Sequence, residues 1–293
     1  MSASTVASVV GPTRSKRRIS RYQKFITHFL LVLGSIVVLV PFAWMVSTAL
    51  KVPEQVTKFP PIWIPRPIVF YNIANTFKIF PIPFSVFIKN SLIITLANVV
   101  GSVISNTIVG FAFARLRFRG NRILFLIVLS TMMLPQQVTM IPLFILFSKM
   151  GWVNTFKPLI VPQFFANAYY IFLMRQFFST IPRELDDAAR IDGCGILGLL
   201  FRIMVPLAKP AIGIMAIFEF QGSWNWFLGP LIYLNKFEMF PLAIALSYLR
   251  GTYRVLWSEL MVASFVAMLP PLILFFIAQR SYIQGIVVSG VKG

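Results

Sequence analysis

Acidic side chains are scarce in this chain, and half of them sit together. Of eight Asp and Glu residues, four (Glu184, Asp186, Asp187 and Asp192) fall within nine positions. Clustered carboxylates can do acid–base work or hold a metal, but they need partners. Those partners are scarce: there is one His, His28, and one Cys, Cys194. A His-based metal site or a Ser-His-Asp triad is therefore not expected, and an internal disulfide is impossible. The chain also lacks a G-x-x-x-x-G-K-[ST] loop, so it has no P-loop with which to cradle ATP phosphates. No resident cofactor is expected.

The acidic group has instead the spacing of a helix start. Pro182 suits a first turn, where its missing N–H costs nothing. Glu184, Asp186 and Asp187 follow in the early turns, where the helix dipole favours anions. Arg183 with Asp187, and Asp186 with Arg190, are i,i+4 pairs, so the charged face can pair with itself. Leu185, Ala188 and Ala189 form a small apolar face. Gly193 permits a left-handed turn at the helix end. Ile196 to Val205 reads as a second, greasier helix leading to Pro206. A helix this slim could enter a groove on a partner, or it could lie on lipid headgroups. Physical chemistry leaves both readings open.

The elements that position this stretch are apolar. The chain is 58% hydrophobic with 12% charged residues and 30 Phe, against roughly 25% charged for a soluble domain. The fold class is an all-α membrane protein. Six transmembrane helices are expected at 25–48, 87–114, 123–147, 159–178, 208–230 and 259–278, each near the ~20 residues a bilayer demands. The uncharged run from Phe25 to Leu50 exceeds the roughly 7–15 residues of a signal-peptide core, so it reads as a retained span. The net charge of +19 lies in short basic clusters between apolar runs. Such clusters set topology and meet anionic lipid, so nucleic acid is not an expected partner. They are Arg14, Lys16, Arg17, Arg18, Arg21 and Lys24, then Arg115, Arg117, Arg119 and Arg122, then Arg183, Arg190, Arg202 and Lys209. With six spans all three fall on one face, which is then cytoplasmic, as are both termini. The organisation is a basic tail at 1–24, a six-span transmembrane domain at 25–278 with a loop at 179–207, and a tail at 279–293. Segment 51–86, rich in Pro and aromatics, reads as an external cap without regular structure. Residues 231–257 form a second external segment.

Several spans are interrupted. Pro135, Gln136, Gln137 and Pro142 break the third, Pro162 and Asn167 the fourth, and Pro270 and Pro271 the sixth. Freed carbonyls and intramembrane amides need neighbours or a wet cavity. A solute path is therefore expected at Gln136, Gln137, Asn167, Gln221, Trp224 and Asn225, the last three sharing a helix face. Packing against a neighbouring subunit is the competing role for Trp224 and Asn225. Glu219 lies off that face and is expected to meet a basic or amide group, or to sit protonated.

The stretch "ELDDAARIDG…FRIMVPLAKP" resembles the EAA loop of permease subunits in binding-protein-dependent ABC importers. Asp187-Ala188-Ala189 stands for Glu-Ala-Ala, Gly193 for the loop glycine, and Val205-Pro206 for the terminal Leu-Pro. Asp187 keeps the family's charge on a shorter stem, and Cys194 replaces a small Ala without gaining a redox role. "GSWNWFLGPL" (Gly222–Leu231) and the ending "QRSYIQGIVVSGVKG" resemble the carbohydrate branch, in particular the maltose-type second permease. The resemblance implies a cytoplasmic coupling helix between spans four and five. Glu184, Asp186, Asp187, Ala188, Ala189, Arg190, Asp192 and Gly193 would then dock on an ATPase subunit. It also implies a second six-span permease, two P-loop ATPases that bind ATP and Mg, an extracytoplasmic solute-binding protein, and a bacterial or archaeal inner membrane. The chain itself would not be an enzyme. An ion-coupled carrier, for which only Glu219 speaks, and a permease for a non-sugar solute such as glycerol phosphate are the alternatives.

The charge bias makes a topological prediction. Reporter fusions should place Arg119 and Asp187 in the cytoplasm and residues 51–86 outside. An external Arg119 overturns the six-span order.

Overall fold

The computed structural model describes residues 21–251 and 255–290, with side chains through Gln279. Most of the basic N-terminal tail, part of the second segment expected outside and the end of the C-terminal tail lie outside those residues. The described chain is helical, and it divides into two compact units at Met45 and Val46.

The first unit holds most of α1 (Arg21–Ala49), which is long and apolar enough to cross a membrane. Its side chains are exposed along nearly its whole length. The hydroxyls of Thr27 and Ser35 donate back to the carbonyls four residues earlier, at 2.8 Å each. Polar groups on an apolar helix are thus satisfied within it, as a lipid environment demands.

The second unit begins with the segment expected outside, which contains more helix than expected. α2 (Pro53–Val56) and α3 (Tyr71–Lys78) are both regular. α3 is held by a polar anchor rather than an apolar stripe, its buried residues being Asn72 and Thr76. The Asn72 amide donates to the carbonyls of Ala49 and Lys51, and Ser258 Oγ donates to the same Lys51 carbonyl. Lys51 itself is buried, which lowers its pKa by desolvation.

The membrane part is organised around α4 (Ser85–Arg115), 31 residues long. α5 (Asn121–Thr131) and α6 (Gln136–Lys149) follow, bent by 95° at Pro135. α7 (Lys157–Ile160), a 3-10 turn and α8 (Ala168–Thr180) occupy the fourth expected span. α8 alone falls short of the ~20 residues needed to cross. α9 (Glu184–Ile191) precedes a helical run made of α10 (Ile196–Gly198), a π turn at Leu199–Met204 and α11 (Val205–Leu207). Pro206 therefore lies inside a helix instead of ending one. Val205 N–H already reaches back five residues to Leu200, so the ladder has shifted before Pro206 removes a donor. The chain then bends by 78° at Ala208 into α12 (Lys209–Trp224). α13 (Leu228–Tyr233), α14 (Leu242–Tyr248) and α15 (Trp257–Gly290) complete the unit. Among the described residues, α1, α4 and α15 can cross alone, and the two bent pairs reach that length only together.

Two apolar cores flank the middle of α4. One gathers Phe84, Phe87 and Ile94 with Phe220, Trp224, Leu242 and Leu260. The other gathers Phe111 with Met174, Phe178, Leu200, Met204 and Met215. Between them lies a polar layer. Glu219, 8% exposed, faces the hydroxyls of Tyr170 and Ser102. Asn106 donates to Ser102 Oγ at 3.0 Å and accepts from the Asn167 backbone N–H at 2.7 Å. One helix turn away, Asn98 donates to Ser223 Oγ at 2.9 Å. Three elements, α4, α8 and α12, are thereby joined where lipid offers no alternative partner.

Close approach depends on glycine. A Cβ at Gly110 would lie 2.6 Å from Met174 Cβ and 3.2 Å from the Arg175 backbone N, with no flexible side-chain end to yield. Gly110→Val should therefore force α4 and α8 apart, at about 1–3 kcal/mol for overpacking. A clear drop in melting temperature of the purified protein checks this, and an unchanged melt refutes the contact.

Candidate functional site

α9 is a surface helix whose end is fixed by a Schellman turn. Gly193 adopts φ +77°, its N–H donates to Arg190 O at 3.0 Å, and Cys194 N–H donates to Ala189 O at 2.8 Å. The helix starts at Glu184, so Pro182 stands two residues before it and not in its first turn. A Cβ on Gly193 would meet nothing within 4 Å. The glycine is therefore needed for its backbone angle and not for space.

The expected faces of α9 are rearranged. Asp186 and Ala189 are buried, while Glu184, Leu185, Asp187, Ala188, Arg190, Asp192 and Gly193 are exposed. The apolar outward surface is Leu185, Ala188 and Ile191, with Ile191 86% exposed, and it continues into Ile196 and Leu197. Asp186 does not pair along the helix with Arg190. Its Oδ2 lies 3.3 Å from Arg115 Nη1, with both side chains buried. Arg115 Nη2 also donates to Ile181 O at 2.6 Å. The last residue of α4 thus grips both the entry to α9 and its first turn. Asp186 Oδ1 and Arg115 Nε have no hydrogen-bond partner. A buried pair satisfied only in part adds little net stability, since desolvation offsets its attraction. Its contribution is position. Periodicity along one helix could not reveal a partner 71 residues away.

The expected path residues separate into two groups. Gln136 and Gln137 line a cavity of about 180 Å³ with Thr139, Gln163, Trp226 and Tyr233. Asn167 instead caps α8, its Oδ1 accepting from Tyr169 N–H at 2.9 Å. Trp224 is buried, stacks on Phe220 and donates from Nε1 to Ala267 O at 3.0 Å. It packs within its own chain against α15. Asn225 is exposed at the end of α12 and donates to Gln221 O at 2.9 Å. The helical face that joined Gln221, Trp224 and Asn225 to Leu228 fails because α12 stops at Trp224. The tryptophan in the cavity is Trp226, whose indole lies so close over Gly229 that a Cβ there would overlap it. The W-N-W spacing with a glycine three residues on was the available signal. Glu219 meets two hydroxyls, neither a base nor an amide. Ser102 belongs, with Asn98 and Asn106, to a run of small polar residues on α4 at four-residue steps, a signal hidden inside an apolar helix.

Residues 106–288 match the family described as "Binding-protein-dependent transport system inner membrane component". The arabinooligosaccharides transport system permease protein AraQ of Bacillus subtilis is 41% identical over 204 residues, covering 70% of this chain and 72% of that protein. The lactose transport system permease protein LacG of Rhizobium radiobacter is 29% identical over 269 residues, covering 92% and 97%. A chain from the crystal structure of a bacterial ABC transporter involved in the import of the acidic polysaccharide alginate superposes with a TM-score of 0.75. It is 25% identical, and the match covers 92% of this chain and 99% of that one.

The Arg115–Asp186 clamp makes a stability prediction. Arg115→Met strands a buried carboxylate and should cost roughly 3–5 kcal/mol, whereas pairing it with Asp186→Leu should recover much of that loss. Thermal unfolding of the single and double variants checks this. Strictly additive losses overturn the pairing.

Proposed function

The chain belongs to the family of binding-protein-dependent transport system inner membrane components, and we propose that it forms one half of the translocation pathway of a carbohydrate ABC importer. The carrying observation is the family match, with curated relatives named for oligosaccharide and disaccharide transport. ATP would be hydrolysed by two separate P-loop subunits with Mg, a second permease would supply the other half of the path, and an extracytoplasmic binding protein would deliver the solute. The six-span order, with both termini and α9 in the cytoplasm, completes this reading.

α9 is the coupling helix in this proposal. What supports it is a slim exposed ridge, Leu185, Ala188 and Ile191, rimmed by Glu184, Asp187, Arg190 and Asp192. An apolar ridge within a charged rim is the shape that enters a partner's groove. The solute path is assigned to the cavity of Gln136, Gln137, Gln163 and Trp226. Amides offer donors and acceptors to hydroxyls, and an indole face suits a sugar ring. The broken geometry at Pro135 supports this, since irregular backbone at membrane depth is tolerated where it lines a cavity.

The test is uptake and ATPase activity of the purified complex with its binding protein, screened over oligosaccharides, disaccharides and glycerol phosphate. A carbohydrate should stimulate hydrolysis. Ala188→Asp puts a charge on the ridge without touching a residue inside the chain, so it should leave folding intact and abolish stimulation. Asp187→Glu should be nearly silent. Full coupling in the Ala188 variant refutes the docking role, and stimulation by glycerol phosphate alone refutes the carbohydrate assignment.

A further inference from the structure

At the α9 end of the bundle, a surface groove of about 390 Å³ is lined by Arg115, Arg117, Arg175 and Arg183, and by no acid. Arg115 is already neutralised by Asp186. Among the described residues, Arg117, Arg175 and Arg183 enter no ion pair, since the clamp is the only one. Arg175 lies on α8, more than a helix turn inside Thr180, and its guanidinium stacks 3.9 Å above the Phe125 ring. Its Nε is buried without a hydrogen-bond partner. The neutral polar groups do not compensate these charges. Ser179 Oγ donates to the Arg175 carbonyl, and the Asn121 amide turns to Leu116 O. Three guanidinium groups therefore converge on a groove that holds no counter-charge.

We infer that this groove binds the phosphate of an anionic phospholipid headgroup. Guanidinium forks match phosphate oxygens, and a cluster of like charges with a partly buried member is stabilised by an anion. The surroundings favour a lipid over free phosphate. Phe118 lines the groove, and Ile123, Leu126 and Ile127 continue from it along α5 as an exposed apolar face on which acyl chains can lie. They favour a lipid over a protein partner because Arg175 sits on α8, inside the fourth expected span, whereas the exposed ridge of α9 is a separate surface. The placement in the cytoplasmic leaflet rests on the orientation proposed above, but the phosphate site does not. Arg117 and Arg183 also border the neighbouring cavity beside Asp186 and Asp187. The bound headgroup would therefore stand against the foot of α9.

The test is lipid retention, read on the protein whether or not it transports. The permease, purified with its co-expressed subunits, is analysed by native mass spectrometry for retained phosphatidylglycerol, and its affinity is measured in phosphatidylcholine nanodiscs of rising phosphatidylglycerol content. Arg175→Gln should lower retention several-fold. Arg117→Gln with Arg183→Gln, at two exposed positions that no fold contact depends on, should do the same if the first variant folds poorly. Arg119→Gln, an exposed arginine outside the groove, should leave retention unchanged. Equal losses from Arg119→Gln and from the groove variants would mean diffuse surface attraction and overturn the site. Stabilisation by inorganic phosphate in pure phosphatidylcholine, without selective lipid retention, would overturn the lipid assignment. Groove variants that retain lipid but lose the ATPase subunits would reassign the arginines to that contact.

Discussion

A carboxyl group in the middle of an apolar bundle constrains everything packed around it. Facing lipid, such a group costs roughly 2.5–3.5 kcal/mol on insertion scales. Glu219 avoids that cost because two hydroxyls reach it, from Ser102 on α4 and Tyr170 on α8. This fixes the rotation of α12, since its carboxyl must face α4. It fixes the depth of α8 too, since Asn106 on α4 receives the first backbone N–H before that helix, at Asn167. The break between the 3-10 turn and α8 is then no defect: it is where an otherwise orphaned backbone donor finds its acceptor. Once this layer closes, the two apolar cores fall on either side of it.

The same helix that organises the interior also governs the surface. α4 ends at Arg115, which grips Asp186 and Ile181. Gly110, one turn earlier, holds α8 at backbone distance. A displacement of α9 is therefore applied to α4 through a buried ion pair, to α8 through a glycine contact, and to α12 through the polar layer. None of these joints is a long flexible side chain in water. In the function proposed here, a movement at α9 would be delivered to three transmembrane elements together, which suits rocking around a central path.

The sequence exposed those features whose cause is local. Gly193 was legible because a left-handed turn after a short helix calls for it, and the angle is there. The apolar helices α1, α4 and α15 were legible because length and hydropathy suffice. The rest depended on partners far along the chain. Asp186 had a plausible mate four residues away, and only the tertiary fold shows that Arg115 outcompetes it. α3 is fixed by Asn72 reaching the end of α1, so its apolar pattern carried no warning. Trp224 and Asn225 were placed by extending a helix one turn too far.

The end of α12 bears on how the cavity is built. Had α12 continued, Trp224 would have shared a face with Leu228, and residue 226 would have pointed elsewhere. The helix stops because Asn225 turns its amide back to Gln221 O. The chain then redirects at Phe227 into α13, and Trp226 lands over Gly229 beside Gln136 and Gln137. The opposite wall is set by a second break, the 95° bend at Pro135 that delivers both glutamines at the start of α6. Two interruptions of helix thus meet at one cavity, while the unbroken α4 and α15 carry packing seams. Breaks are where backbone and amide groups become available to a solute. Unbroken helices, whose polar groups are already satisfied, can only hold such breaks in register.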